Sequence, residues 1–419
     1  VNNSVLKPAR RGRASIRGLA IVTVAVCALA ACGDSTDDNS GASGDDTTIL
    51  IGGTVSLTAA AASFPEVKQA QEAAVESINA AGGINGRQLK IEVCDSKFEV
   101  REELGCFRSL TEKNVAAIVG PVIIADTGVT EYQVAQRADT AVVGSPALQP
   151  GELDSDVAFP LGASVVGGTY GAIYDLIKSG AKRISIFGDA NNPAADSIVN
   201  LSEEALDSVG MSPVNVAIGD TSADPTLRSA AVKAASGGTD GIIITGSPPS
   251  MSKSVPALRA QGYTGLIATI DSALPGPVID AIGPAGNGML VAAQTAFPEQ
   301  SPASDQFIAD MEKYAPSAPL SFFSIQAWSS VKLFAAVAEQ NEAYTASDVL
   351  KAFQNISTPI DIGTIGPYKT VDVTSPITDG YVPAPRMFNP EVQLGTMQDG
   401  NLVADGGFIN PFDELKSVN

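Results

Sequence analysis

Glu72-Ala-Ala-Val-Glu-Ser-Ile-Asn-Ala-Ala-Gly-Gly-Ile-Asn-Gly-Arg87 is the stretch from which the architecture of this 419-residue chain can be read. Val67, Ala70, Ala74, Val75 and Ile78 share one helical face, which predicts a helix over Glu66–Ala81. Gly82-Gly83 ends it, because glycine tolerates the left-handed backbone that a helix C-cap favours. Asn85-Gly86 then turns the chain into the alternating run Gln88–Val93, a strand. Upstream lies Thr48-Ile-Leu-Ile-Gly-Gly53, a continuous apolar run of the kind a parallel sheet buries on both faces.

The same strand–helix unit recurs. Strand Val115–Val119 precedes a helix near Thr127–Ala138, and Ala141–Gly144 makes a fourth strand. After Phe159 the pattern restarts with helix Val165–Lys178 and strands Arg183–Phe187, Pro213–Ile218, Gly241–Thr245 and Leu266–Ile270, with helices between them. Strand Met289–Ala293 and long helices at Ser304–Tyr314 and Phe322–Gln340 follow. Two sets of βα units separated by a break predict an α/β protein of two doubly wound parallel-sheet lobes.

Composition narrows the function classes. The formal net charge is −20, which repels phosphate backbones and anionic headgroups and argues against nucleic-acid and peripheral membrane binding. Aromatics make up only 5%, too few for base-stacking platforms. The chain contains no histidine, which removes the Ser-His-Asp and Cys-His nucleophile systems and most catalytic zinc sites. No Gly-x-x-x-x-Gly-Lys-[Ser/Thr] phosphate loop occurs, so the chain is not itself an ATPase. Ser250-Met-Ser-Lys253 matches the Ser-x-x-Lys of penicillin-interacting acyl enzymes, but its companion Ser-Asp-Asn is missing. Lys369-Thr370-Val371 is the nearest approach to Lys-Thr-Gly, so Ser250–Lys253 reads as a first helical turn. The expectation is a non-enzyme without metal or cofactor.

The N-terminus reads as an export signal. Five basic residues from Lys7 to Arg17 precede the fourteen-residue apolar run Gly18–Ala31. That run is short for about 30 Å of hydrocarbon, which disfavours a transmembrane anchor. Small residues lead to Cys32, so Leu29-Ala-Ala-Cys32 resembles a bacterial lipobox, and residues 1–31 read as a lipoprotein signal peptide. Cys32 is then the lipid attachment site. Residues 32–47, with five aspartates between Gly33 and Asp46, read as a disordered acidic tether. The expected location is the extracytoplasmic face of the cell membrane, held by lipid. Cys94 and Cys106 remain; at a strand end and on the next helix of an exported protein they are expected to pair, the alternative being two buried thiols.

The Asn-Ala-Ala-Gly-Gly-Ile-Asn-Gly-Arg block resembles the signature after the first strand of type I periplasmic binding proteins, the leucine/isoleucine/valine-binding family of ABC importers. Ala116-Ala-Ile-Val-Gly-Pro121, Ser145-Pro-Ala147, Gly188-Asp189 and Asp240-Gly-Ile-Ile-Ile244 fall in order where that family has strand ends. The resemblance runs from about Thr48 to Gln340. It implies two lobes joined by three crossovers near Pro160, Thr295 and Pro367 and closing on a small ligand. Lobe one would comprise 48–160 plus 295–366, and lobe two 161–294 plus 367–419.

In such sheets ligands bind beyond the carboxyl ends of the strands. On lobe one the candidates are Phe64, Asp126, Thr127, Ser145, Ala147 and Gln149; on lobe two they are Asp189, Asn191, Ser247 and Asp271. Helix N-terminal N–H groups at Thr127 or near Leu148 could receive a ligand carboxylate. Asp126, Asp189 or Asp271 could neutralise an ammonium group; singly, each reads equally well as an Asx turn or N-cap. The sequence departs from the family's amino-acid binders: Ile123 and Ile124 stand at the usual serine pair, Asn192-Pro193 where a tyrosine is common, and Gln149 at a threonine. The ligand can then be an amino acid, an amide or a partly apolar acid. The expected partners are an ABC permease and its separate ATPase subunits, with the binding protein monomeric. The alternative is a sensor that presents its ligand to a membrane signalling partner.

Overall fold

A strand shielded on both faces forms only where helices cover both sides of its sheet, and this requirement organises the whole chain. The structure is a computed structural model that describes residues 47–59, 63–123, 128–190, 195–299, 301–374 and 384–418. The lipobox with Cys32, the signal segment and nearly all of the tether lie outside the described residues, as do Asp126, Thr127 and Asn191.

The first part of the chain runs β1 (Thr48–Val55), α1 (Pro65–Ala80), β2 (Gln88–Asp95), α2 (Val100–Glu112), β3 (Ile118–Val119), α3 (Val129–Arg137), β4 (Val142–Val143), α4 (Pro150–Asp154) and β5 (Ala158–Phe159). These strands form one parallel sheet in the order β2-β1-β3-β4-β5. The second part runs α5 (Ser164–Lys178), β6 (Ile184–Asp189), α6 (Ala195–Asp207), β7 (Val216–Gly219), α7 (Asp224–Ala234), β8 (Gly241–Thr245), α8 (Pro248–Ala260), β9 (Leu266–Ile270), α9 (Gly276–Ile282) and β10 (Leu290–Ala293). Three helices follow, α10 (Asp305–Tyr314), α11 (Phe322–Asn341) and α12 (Ala346–Gln354), then β11 (Val392–Gln398), β12 (Asn401–Ile409) and α13 (Pro411–Ser417).

The second sheet has seven strands in the order β12-β11-β10-β9-β8-β6-β7. Its first five strands in chain order are parallel, but β11 and β12 pair antiparallel at one edge. The sequence reading placed no strand beyond Ala293, so this hairpin is new. Its signal was present in Asp399-Gly400: both residues have positive φ (49° and 83°), the backbone that a tight two-residue hairpin requires. β3 and β4 are also shorter than their apolar runs, because only two residues of each complete the ladder.

Side-chain alternation divides the apolar residues of the second sheet. Ile184, Ile186 and Ile243 pack with α5, α6 and α13, while Phe187, Ile242 and Ile244 pack with α7, α8 and α9. A third cluster surrounds the first sheet and includes Phe307, Trp328, Phe334 and Phe353 from α10, α11 and α12. The chain thus leaves the first sheet after Phe159, returns to that core after β10, and re-enters the second sheet at Val392. The three crossing segments touch: the Tyr368 hydroxyl donates to the Pro160 carbonyl (3.1 Å), and the Ala296 N–H donates to Thr364 O (2.7 Å). Tyr368 and Phe388 both pack in the first core, so that core's packing continues past residue 366. Arg386 lies over the rings of Phe159 and Phe388 and donates to Ala158 O, tying the last crossing segment to β5.

α11 is the buried axis of the first core. Gly144, at the end of β4 with φ 73°, lets it approach, since a Cβ there would lie 2.2 Å from Ser330 Oγ. The Ser330 hydroxyl and the Gln326 amide both donate to the Gly144 carbonyl.

Candidate ligand site

Both sheets reverse their winding direction once, between β1 and β3 in the first and between β6 and β8 in the second. At such switch points the helices on either side diverge and leave a crevice beyond the strand ends.

At the second switch point Asp189 ends β6 and Ser247 follows β8. The sequence reading named both, and the structure brings them together: Ser247 Oγ donates to Asp189 Oδ2 at 3.1 Å. Thr221, from the loop after β7, donates to Asp189 Oδ1 at 3.2 Å. The Lys253 ammonium sits alongside and donates to the Thr221 carbonyl (2.8 Å). Neither Thr221 nor Lys253 was named from sequence, because the loop between β7 and α7 carries no distinctive motif.

Asp271 begins a short helical turn directly after β9 and is 5% exposed. Its Oδ1 accepts the Ser272 N–H at 2.8 Å. Burial pushes its carboxyl up to about 8, against the backbone N–H groups that favour the ionised form. Asp271 lines a cavity of about 210 Å³, bounded on the second-sheet side by Leu274, Ile279 and Leu402 and on the other by Leu320, Ser321 and Phe322. The exposed carboxylates of Asp280 and Glu299 stand in its wall.

Phe64, in the loop before α1, reaches this region through a row of rings. Its centroid is 4.8 Å from that of Phe323, and Phe323 is 5.1 Å from Phe322. The doublet Phe322-Phe323 was not named from sequence as a site, although two adjacent rings in an aromatic-poor chain were a visible signal. It stands at the start of α11, where Ser321 caps the helix by accepting the Ser324 N–H.

The remaining lobe-one candidates are placed differently. Ser145 and Ala147 are fully buried, and the Ser145 hydroxyl faces Tyr132 and Glu152. Gln149 is half-buried. The expectation that free N–H groups near Leu148 await a ligand carboxylate is corrected. Glu152 Oε2 accepts the N–H groups of both Leu148 (2.6 Å) and Gln149 (2.7 Å). The glutamate at the third position of α4 reaches back over its own helix start, the geometry of half a capping box. Cys94 and Cys106 are joined in a disulfide with Cα atoms 5.6 Å apart.

Among the described residues no group of His, Cys, Asp and Glu could hold a metal ion, and no helix is long and apolar enough to cross a membrane. A family model described as periplasmic binding protein matches residues 48–382. The chain belongs to the periplasmic binding protein family. This is a family of binding proteins, not enzymes, and it implies an extracytoplasmic location. No curated relative matches the sequence.

Solved structures share the fold of this periplasmic binding protein. A branched-chain amino acid transporter substrate-binding protein from Streptococcus pneumoniae, in complex with isoleucine, is 20% identical with a TM-score of 0.67. That match covers 86% of this chain and 100% of the other. A fatty acid ABC transporter substrate-binding protein from Thermomonospora curvata is 18% identical with a TM-score of 0.70, covering 89% of this chain and 94% of that one. An extracellular ligand-binding receptor from Verminephrobacter eiseniae is 19% identical with a TM-score of 0.69, covering 85% and 99%.

Proposed function

We propose that this protein captures a small, partly apolar organic metabolite between two lobes and delivers it to an ABC permease driven by separate ATPase subunits. The observation that carries this reading is the dual lining of the Asp271 cavity. Phe322 belongs to the core around the first sheet and Leu274 to a core of the second, so an occupant contacts both. Differential contact with two bodies is what allows a ligand to favour a closed arrangement over an open one. The lobes we infer are 48–160 plus 295–366 and 161–294 plus 367–419, with the hydrogen-bonded crossings at Pro160, Ala296 and Tyr368 as the hinge. Export with lipid attachment at Cys32 and a monomeric state complete the proposal. The structural relatives whose titles name isoleucine and fatty acid ABC transport support an apolar ligand body.

The test is a thermal-shift screen of small metabolites followed by small-angle scattering on the hit. A ligand at one hundred times its Kd adds about 2.7 kcal/mol of stability and should contract the radius of gyration. Phe322→Ala should weaken the hit at least about tenfold. An unchanged radius together with normal binding by Phe322→Ala would refute the inter-lobe site. Radiolabelled lipid that still attaches to Cys32→Ser would refute the anchor.

A further inference from the structure

Resting on the binding reading above, we infer that the Asp271 cavity takes a protonated amine with an apolar body and no carboxylate. The lining separates into two chemistries. Leu274, Ile279, Leu320, Phe322 and Leu402 are apolar; the ionisable lining groups are Asp271, Asp280 and Glu299, all acids. No Lys or Arg is among the described lining residues. The sequence stretches 121–128, 144–150, 189–195, 245–248, 270–276 and 294–299, which follow strands, contain no Lys or Arg either. The Lys253 ammonium, on α8, is engaged with the Thr221 carbonyl beside Asp189. The backbone N–H groups of Leu148 and Gln149, which could otherwise have met a carboxylate, are occupied by Glu152.

Electrostatics then select the head group. A concave, apolar-walled site ringed by carboxyls focuses negative potential, raising the local concentration of cations and repelling anions. A carboxylate-bearing ligand would have to be desolvated there without a countercharge, which is unfavourable. An ammonium finds Asp271 at the depth of the site and Asp280 and Glu299 at its rim, while its apolar body meets Phe322 and Leu274. The volume, about 210 Å³, is below the roughly 300 Å³ at which pockets for drug-sized ligands begin, so the occupant is small.

Proton exchange provides an independent signature. With its carboxyl near 8, Asp271 is protonated at neutral pH in the empty site. An ammonium beside it favours the carboxylate, so the carboxyl proton leaves to solvent as the amine binds.

The experiment compares matched head groups on the full chain: isopentylamine, isocaproate and leucine, then phenethylamine, hydrocinnamate and phenylalanine. Melting shifts and calorimetry, in buffers of different ionisation enthalpy near neutral pH, report affinity and proton release. The expected result is that at least one amine binds about tenfold or more tightly than its acid and zwitterion, releasing a fraction of a proton that approaches one. Asp271→Asn should weaken that amine at least about tenfold and abolish the release. If that variant fails to fold, Asp280→Asn with Glu299→Gln, both at exposed positions, should weaken the amine and flatten its salt dependence. Tighter binding of an acid or amino acid overturns the inference while leaving the cleft reading intact. Binding by neither amine overturns it too, and the cleft is then judged by scattering with the screened hit.

Discussion

Ser247 donates its hydroxyl to Asp189 across 58 positions of sequence, joining the ends of β6 and β8 at the switch point of the second sheet. Asp189 is 2% exposed, so removing the donor leaves a buried oxygen poorly satisfied. Ser247→Ala should lower stability by about 1–2 kcal/mol in urea titration, and Ser247→Thr should restore much of it. A full-strength alanine variant would show that Thr221 alone satisfies the carboxylate.

Stability should fall as pH rises through neutrality. Burial pushes Glu103 up to about 7, with the Glu131 charge adding to it, and Glu152 up to about 8. Asp271 is pushed up to about 8 and Asp175 to about 6. Each folded value lies above the unfolded one, so the folded state binds more protons. Their contribution is complete below about pH 4 and lost as pH rises through about 6 to 8. Calorimetric melts between about pH 5 and 9 should show Tm decreasing, and Glu152→Gln should flatten that slope. A Tm rising over this range would contradict the protonated acids.

Reduction of the Cys94–Cys106 bond should destabilise the protein by about 3 kcal/mol, the chain-entropy value for a loop of this size. The effect should extend to the loop after β1. Asp95 follows Cys94 directly and accepts the Leu57 N–H (2.8 Å) and the Thr58 hydroxyl (2.6 Å). Hydrogen exchange of residues 57–59 with and without reductant checks this, and unchanged exchange would separate the disulfide from that loop.

Gly144→Ala should cost about 2 kcal/mol or more, because it adds a Cβ at positive φ against Ser330. In Gly144→Ala combined with Ser330→Gly, the steric part should be relieved and only backbone strain retained. Equal losses in the single and double variants would rule out the contact as the cause.

Much of this was legible in the chain before any coordinates. The continuous apolar runs Thr48–Gly53 and Gly241–Thr245, with amphipathic helices between such runs, required a parallel sheet covered on both faces. Asp189, Ser247 and Asp271 could be named because they stand directly after apolar runs, where a strand must end. The hairpin of β11 and β12 was not recognised, since its strands mix Gly, Asp and Asn with apolar residues and only its turn is distinctive.

Periodicity, glycine placement and the order of strand-end motifs by themselves determined the fold class, because they record which faces must be buried and where the chain can turn. Tertiary structure alone decided which polar groups remain available. Glu152 occupies the N–H groups that a linear reading leaves open, and Ser145 turns inward towards Tyr132. Phe322 and Phe323 reach the cavity from a helix that follows Asp271 by some fifty residues. The physical reason is one of range. Backbone conformation responds to neighbours a few positions away, whereas desolvation, hydrogen-bond partnership and cavity shape depend on groups that meet only when distant segments pack.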